Sequence, residues 1–252
     1  MGMVSSEQIF DFYNRGYIIL RDIFSVGEIE EMRAGIDRLQ QMSQGIETEK
    51  MRNGSKFVVQ NGLLERVVWA GAAEPVLLKY GRDLRLSSLA RQILESDQAN
   101  HLINQVHFKL PGGGFYPWHQ DSAHRGYGTS DWLDVNGKGS YVQIVTAIDE
   151  ATMENGPLLF IPFSCGSGHL SLPYDKNRQT FSEKFNSADA VTALMQPGDV
   201  ALFGPYTVHG SETNNSDKPR RIFINGYAFP EANKKVYPGE GAGELVKLVQ
   251  NQ

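Results

Sequence analysis

The sequence has little cysteine, no long apolar run and no excess of positive charge, and each shortage excludes a class of protein. Cys165 is the single cysteine of the 252 residues, so no disulfide can form within the chain, which is typical of a reducing compartment. No apolar run is long enough to span a membrane, and no cationic segment leads into an apolar core at the N-terminus. The net charge of −5 gives no electrostatic reason to expect a nucleic acid as the main partner. We therefore expect a cytoplasmic protein with neither a membrane nor a nucleic-acid partner.

Linkers, blocks of like charge and internal repeats are also missing, which favours a single domain over residues 1–252. The apolar fraction of 40% is sufficient for one sizeable core. The patterning changes near residue 98, where helical periodicity gives way to short apolar segments. We therefore expect a helical part over about 1–98 and a β core over about 99–230.

Two helical segments are predicted in the first part of the chain. Ser25 and Glu28 form a capping box ahead of an amphipathic stripe, which predicts a helix over the residues that follow. A second helical region is expected over 75–96, and its inward-facing residues are Leu84, Leu89 and Ile93. Residues 45–62 are polar and follow no clear period.

Short apolar segments separated by Gly and Pro predict β strands in the second part. The predicted strands are 101–110, 141–148, 158–161, 200–203, 206–209 and 221–229. In the first of them Gln105, His107 and Lys109 share one face, which is turned either to water or to a polar pocket inside a barrel. Helices followed by many short strands indicate a mainly β fold with flanking helices, either a β-sandwich or a jelly roll.

A possible metal site begins at His119 and Asp121, which are two residues apart. Side chains alternate along an extended strand, so both would project from the same face. Two histidines and one carboxylate form the facial triad of non-haem Fe(II) oxygenases, and His209, 90 residues further on, can supply the second histidine. A His-x-Asp tripeptide alone is weak evidence, so its context decides.

That context resembles the phytanoyl-CoA dioxygenase family of Fe(II)/2-oxoglutarate-dependent oxygenases. The matching segments are 16–20 (GYIIL), 118–121 (WHQD), 154–158 (ENGPL) ahead of 161–162, 197–200 (PGDV) and 209–211 (HGS). Arg220 follows eleven residues after His209. The resemblance covers about residues 15–230, and it implies a double-stranded β-helix, a cupin-like jelly roll whose mouth brings the ligands together.

The resemblance also implies roles for particular residues. His119, Asp121 and His209 would bind Fe(II), and Arg220, assisted by Ser211, would hold the distal carboxylate of 2-oxoglutarate. A planar guanidinium suits this task because it can donate two parallel hydrogen bonds to a carboxylate. The neighbouring Arg221 is expected to point to the opposite face as an exposed charge.

Further side chains are expected around the pocket. Those assigned to the cosubstrate are Lys109 and Gln105, and those assigned to the substrate are His107, His124 and Arg125. Residues 122–139 predict a loop over the site. His101 and His169 have no ligand-like spacing, so we expect structural roles for both. Relatives often carry Pro-Gly-Ser/Thr-His where this chain has the segment 162–165, so no role is carried over to Cys165.

The predicted function is hydroxylation of an aliphatic carbon of a small metabolite. In the family, Fe(II) and O2 convert 2-oxoglutarate to succinate and CO2 as the substrate is oxidised. An intact Asp121 favours hydroxylation, because halogenating relatives have a small residue there. Two alternatives stay open, namely a non-catalytic small-molecule-binding jelly roll with a vestigial metal site, and a zinc hydrolase, which also uses two histidines and a carboxylate. The sequence indicates neither the substrate nor the oligomeric state.

Overall fold

The computed structural model describes residues 4–170 and 184–248. The helices are α1 Ser6–Arg15, α2 Val26–Met42, α3 Ala70–Ala73, α4 Pro75–Gly81, α5 Leu84–Leu94 and α6 Asp121–Arg125. The strands are β1 Tyr17–Leu20, β2 Glu49–Arg52, β3 Ser55–Gln60, β4 Leu63–Val68, β5 Gln98–Lys109, β6 Tyr116–His119, β7 Tyr141–Ala147, β8 Leu158–Phe160, β9 Val191–Ala193, β10 Val200–Phe203, β11 His209–Ser211, β12 Arg220–Ala228 and β13 Leu245–Lys247. No helix within the described ranges is long and apolar enough to cross a membrane.

The strands form two antiparallel sheets. The large sheet has the order β1-β10-β7-β12-β5-β4-β3-β2, with β13 paired to the start of β5, and the small sheet has the order β6-β11-β8-β9. The sheets pack face to face, and Tyr17 of the large sheet stacks on Phe160 of the small sheet with 4.5 Å between ring centroids. From β5 to β8, and again from β9 to β12, successive strands alternate between the sheets, as in a jelly roll, so the predicted fold class is confirmed.

Side-chain alternation along β12 separates two apolar regions. Ile222 and Ile224 face the small sheet, whereas Phe223 faces the helices on the outer side of the large sheet. Helix α2 lies on that outer side. Its capping box is present, since the Ser25 amide donates to Glu28 Oε2 over 2.9 Å. The helices thus cover the outside of the large sheet and leave its inner face for the cavity.

The predicted helical region over 75–96 is two helices, because the chain turns at Arg82 and Asp83. Asp83 caps α5 by accepting from the amide of Arg85 over 2.9 Å. Leu84 is therefore the first residue of a new helix and is 45% exposed, so its predicted inward orientation is wrong. Leu89 and Ile93 are buried as predicted.

Residues 45–62, which gave no prediction, contribute two strands to the large sheet. The pairs Asn53-Gly54 and Asn61-Gly62 have positive φ throughout and form the turns between β2, β3 and β4. Asn-Gly is the strongest short hairpin signal, because a type I′ turn needs positive φ at both central residues. The part expected to be helical thus also contains the four strands β1 to β4. The single domain over 1–252 stays a prediction.

One predicted strand is displaced. Residues 206–209 were expected to be extended, but the amide of Thr207 donates to Gly204 O over 3.2 Å in a turn around Pro205. The strand begins only at His209. The other predicted strands are present, and each end lies within three residues of its predicted position.

Candidate active site

The two candidate metal-binding histidines lie opposite each other on adjacent strands of the small sheet. Strand β11 pairs with β6 so that His209 lies opposite His119, with 4.1 Å between ring centroids. Asp121 is the first residue of α6, and its Oδ1 is 4.0 Å from His119 Nε2. The prediction that His119 and Asp121 share a strand face is wrong, because the chain leaves β6 at Gln120 and turns into the helix. The side chains nevertheless converge, and one potential ligand atom from each of the three lies within 4.8 Å of the others.

Backbone carbonyls fix the orientation of both imidazoles. His119 Nδ1 is 2.9 Å from Pro117 O, and His209 Nδ1 is 2.9 Å from Thr207 O. A carbonyl oxygen only accepts, so each Nδ1 carries the proton and each Nε2 presents a lone pair to the centre of the site. Packing also holds His209, since the ring of Phe203 lies 4.5 Å from its ring.

The electrostatics suit a divalent cation. Burial, with a contribution from His209, lowers the pKa of His119 to about 3, and burial likewise lowers the pKa of His209. Burial alone would raise the pKa of Asp121, but the positive charge of Arg125 and the nearby histidines lower it. The group is thus two neutral imidazoles and one carboxylate, the protonation that metal ligands need. Within the described part of the chain, Asp121 Oδ2 is buried without a hydrogen-bond partner. A buried carboxylate oxygen of this kind is suited to bind a metal ion.

Arg220 occupies one end of the cavity and is 2% exposed. Its Nε and Nη2 donate to the carbonyl of Gly156 over 3.1 and 2.8 Å. Its Nη1 is buried and has no partner among residues 4–170 and 184–248. Burial lowers the pKa of Arg220 to about 10, so the group stays charged at neutral pH. A buried donor without an acceptor costs about 1–3 kcal/mol, which a carboxylate ligand would recover.

The carbonyl that holds Arg220 belongs to a residue that must be glycine. Gly156 has a φ of +74°, and a Cβ there would overlap the backbone oxygen of Glu212. This explains why the turn 155–157 carries Asn-Gly-Pro.

Lys109 lies beside Arg220, because these residues are partners in the β5–β12 ladder. Lys109 Nζ donates to Ser211 Oγ over 2.5 Å and also to the carbonyl of Glu212. Lys109 and Ser211 therefore lie at the Arg220 end, as expected for residues beside the cosubstrate. Gln105 lines the cavity but pairs with Ile224, four residues from Arg220 along β12 and thus roughly 13 Å away. The structure does not bring Gln105 to that end.

Arg221 does face away from the cavity, but the prediction that it is exposed is wrong. The residue is 8% exposed. Its Nε donates to Asp149 Oδ2 over 2.7 Å and its Nη1 to Asp37 Oδ1 over 2.5 Å. The ion pairs join β12 to α2, so Arg221 is part of the packing between sheet and helix.

The predicted substrate residues are all in the cavity wall. His107 is opposite Ile222, and within the described ranges its buried Nε2 has no partner. Burial, together with the charge of Arg66, lowers the pKa of His107 to about 3. His124 and Arg125 are on α6, which takes the place of the first part of the predicted loop. The ring of His124 lies 5.3 Å from that of His119.

The remaining histidines and the cysteine lie outside the cavity lining. His101 Nε2 is 3.1 Å from Asn225 Oδ1 on the helix side of the large sheet. His169 Nδ1 is 2.8 Å from Ser122 Oγ. The Cys165 thiol lies 3.5 Å from Tyr13 O, and burial raises its pKa. These contacts agree with structural roles.

The cavity has a volume of about 470 Å³, which suits a small molecule. Lining residues that the sequence reasoning missed include Arg66, Gln143, Val145 and Tyr237. Alternation along β7 places Gln143 and Val145 on one face and could have revealed both. Arg66 required the hairpin turns to be recognised, and Tyr237 follows β12 in an irregular segment that carries no pattern.

Three comparisons place these features among known proteins. Residues 12–222 match the family model described as Phytanoyl-CoA dioxygenase (PhyH). Methylphosphonate hydroxylase from Gimesia maris is 34% identical over 123 residues, which is 49% of this chain and 43% of that protein. Ectoine dioxygenase from Nocardia farcinica is 27% identical over 247 residues, covering 88% of this chain and 78% of that protein.

A solved structure, EctD from S. alaskensis with 2-oxoglutarate and 5-hydroxyectoine, superimposes with a TM-score of 0.70 at 23% identity. The match covers 91% of this chain and 77% of that chain. At this identity the likeness shows a shared fold. The family match extends over most of the sequence, and it confirms the predicted dioxygenase class together with its iron, 2-oxoglutarate and dioxygen. The chain therefore belongs to the phytanoyl-CoA dioxygenase family.

Proposed function

We propose that this protein is an Fe(II)- and 2-oxoglutarate-dependent dioxygenase that hydroxylates an aliphatic carbon of a small molecule. One observation carries the proposal. The group of His119, Asp121 and His209 opens into the same cavity as Arg220 Nη1, which has no hydrogen-bond partner among the described residues. Family membership supplies the reaction class, and these four side chains supply a place for the metal and for its cosubstrate.

The three clustered side chains would hold Fe(II) through His119 Nε2, His209 Nε2 and a carboxylate oxygen of Asp121. When bound, the metal supplies the activation of dioxygen that oxidation of an unreactive C–H bond requires. The contribution of the protein is to keep the imidazoles neutral and oriented through the carbonyls of Pro117 and Thr207. It also surrounds the site with buried side chains that exclude water.

Arg220 would donate from Nη1 to the distal carboxylate of 2-oxoglutarate. Gly156 holds the guanidinium by its other edge, so little side-chain freedom is lost when the ligand binds. Lys109 adds a second positive charge at this end, and Ser211 helps to place it. An anion with two carboxylates is thus favoured between this end of the cavity and the metal.

The remaining lining residues would contact the substrate, and they include His107, His124, Arg125 and Gln105. The named relatives act on methylphosphonate and on ectoine, which supports a small polar molecule. A nucleic-acid or membrane partner is not part of the proposal. The proposal does include a cytoplasmic location. A chain whose one cysteine is unpaired supports it, because such a chain is typical of a reducing compartment.

Succinate formation tests the proposal against its two alternatives. The full-length protein should release succinate from 2-oxoglutarate only when Fe(II) and O2 are both present, even without substrate, through slow uncoupled turnover. A vestigial binding protein would bind metal and 2-oxoglutarate without releasing succinate. A zinc hydrolase would need neither O2 nor 2-oxoglutarate, and it would leave Arg220 without a purpose.

A further inference from the structure

Arg125 is a buried positive charge in the cavity wall that forms no ion pair with the described residues. It is 6% exposed. Its Nη2 donates to Tyr141 Oη over 3.0 Å and to Gln143 Oε1 over 3.4 Å, while its Nε is buried and has no partner in the part of the chain that the structure describes. An unpaired buried charge is costly. Arg221, by contrast, is buried with two carboxylates as partners.

The surroundings of Arg125 are arranged around its guanidinium. The central carbon lies 5.0 Å from the ring centroid of Tyr141 and 5.6 Å from that of Tyr237. Contact with two aromatic rings offsets part of the cost of burying the charge. Gly226 makes room for this arrangement, because a Cβ there would overlap Tyr141 Oη. These features hold a cation in a fixed position facing the cavity.

Arg125 and Arg220 lie at opposite ends of the cavity. Arg220 is the first residue of β12, whereas Gln143, which binds Arg125, pairs with Gly226 six residues further along that strand. At the rise of an extended strand, that separation is roughly 20 Å. Ser211, two residues after His209, lies at the Arg220 end because it accepts a hydrogen bond from Lys109. Asp121 is the first residue of the helix that carries Arg125. The candidate metal ligands thus lie between two cationic ends.

We infer that Arg125 binds an anionic group of the substrate, a carboxylate or a phosphonate. The inference rests on the proposed function, because it takes the Arg220 end to be filled by 2-oxoglutarate. Asp121 and Arg125 are four residues apart on α6, so their Cβ atoms are about 6 Å apart on one face. The oxidised carbon therefore lies only a few bonds from the anion. The substrate class is small molecules with an acidic group beside the aliphatic carbon that is hydroxylated.

Anion binding to the loaded protein tests this inference without the substrate being known. The full-length protein is loaded with Mn(II) in place of Fe(II) and saturated with 2-oxoglutarate, and its thermal midpoint is measured against inorganic phosphate or acetate. Chloride at equal ionic strength corrects for general salt effects. We expect a saturable rise, because a ligand of the folded state stabilises it. A larger rise with phosphate indicates a phosphonate, and a larger rise with acetate indicates a carboxylate.

Three variants test whether the rise in thermal midpoint with anions depends on Arg125. Arg125→Gln should weaken anion binding roughly 30-fold or more, as expected when one partner of a buried charge pair is removed. Arg125→Lys keeps the charge without the planar fork and should retain part of the response, which covers the case in which the glutamine variant does not fold. Arg91→Gln removes an arginine that is half exposed and pairs with Asp97. It should respond as the wild type does.

Other results of these measurements would overturn the inference. The inference is overturned if neither anion stabilises the wild type more than chloride does, or if Arg125→Gln and Arg125→Lys both respond fully. It is also overturned if Arg125→Gln weakens Mn(II) binding but keeps the anion response, since Arg125 would then serve Asp121. If Mn(II) and 2-oxoglutarate fail to stabilise the wild type at all, the proposed function has failed and the inference falls with it.

Discussion

At the residue scale, the contrast between Arg220 and Arg221 shows how one step along a strand changes the role of a side chain. Arg220 turns into the cavity and keeps a buried nitrogen without a partner within the described ranges. Arg221 turns to the helices and binds Asp149 and Asp37. The same residue type is therefore available to a ligand at one position and committed to the fold at the next.

Replacing these two arginines should separate ligand binding from stability. Arg220→Ala should weaken 2-oxoglutarate binding roughly 30- to 4000-fold, because a truncated buried charge contact costs about 2–5 kcal/mol. Arg221→Ala should change that affinity only a few-fold but lower the free energy of unfolding by up to about 3 kcal/mol, since Asp149 then keeps only Arg33, 3.4 Å away, as a charged partner among the described residues. Titration calorimetry and denaturant unfolding measure the two effects. The reverse ranking would mean that the register of β12 is shifted by one residue.

The metal ligands give a second prediction at this scale. His209→Ala removes one of two neutral imidazoles, so Mn(II) affinity should fall steeply and succinate release should stop. Calorimetric titration with Mn(II) and a succinate assay with Fe(II) measure these effects. The matched control is His169→Ala, which removes an imidazole outside the cavity lining. Full iron-dependent turnover by the His209 variant would show that the three residues are not the ligand set.

His101 predicts a pH dependence of stability. Burial lowers its pKa from 6.5 to about 4, so below pH 6.5 the unfolded chain binds a proton that the folded chain does not. Stability should therefore fall as the pH drops from 6.5 towards 4, by about 3 kcal/mol from this residue. Unfolding free energies of wild type and His101→Gln across this range measure it. For the variant, the unfolding free energy should depend less steeply on pH, by the uptake of up to one proton on unfolding. Identical pH dependence of the two proteins would contradict the assignment.

At the element scale, short turns place the walls of the site. The Asn-Gly hairpins carry β3 and β4 to the edge of β5, where Arg66 pairs with His107 and reaches the cavity. The break after His119 starts α6, which carries both Asp121 and Arg125. The turn at Gly156 supplies the carbonyl that orients Arg220. Each of these turns is only a few residues long, and each positions a charged side chain.

The Gly156 turn can be tested by adding one methyl group. Gly156→Ala would strain a φ of +74° and force its Cβ against Glu212, so the carbonyl should move away from Arg220. We expect a loss of stability of at least about 1 kcal/mol and 2-oxoglutarate binding that is weaker by roughly tenfold. Gly166→Ala is the matched control, because nothing lies within 4 Å of its added Cβ. Equal behaviour of the two variants would rule out an orienting role for this turn.

At the scale of the whole molecule, metal and cosubstrate should stabilise the fold, because their candidate ligands come from both sheets. Ligand at 100 times its dissociation constant adds about 2.7 kcal/mol to the free energy of unfolding. Chelation with EDTA should lower the thermal midpoint of unfolding. Addition of both Mn(II) and 2-oxoglutarate should restore that midpoint. Scanning calorimetry measures the shift. Restoration by 2-oxoglutarate without any metal would contradict a shared site.

The sequence by itself determined the chemistry of this protein. The residue types at 119, 121 and 209, together with their spacing, indicated a candidate ligand set, and the resemblance to the family added the carboxylate anchor at 220. Alternation along a strand is a local property, so the opposite directions of Arg220 and Arg221 were also predictable. The capping box at Ser25 and the strands over 141–147 and 200–203 depend on local signals of the same kind.

Only the tertiary structure decided how these residues meet. The route of Asp121 through a helix, the ion pairs of Arg221 and the distance of Gln105 from Arg220 depend on strands that are distant in sequence. The surroundings of Arg125 also depend on them, since α6 follows a strand of the small sheet, whereas Tyr141 lies on the large sheet and Tyr237 lies beyond β12. Local periodicity fixes which way a side chain points within its own element. Whether a buried charge finds a partner depends on how the elements pack. Here that packing left Arg125 and Arg220 facing the cavity without a carboxylate partner among the described residues.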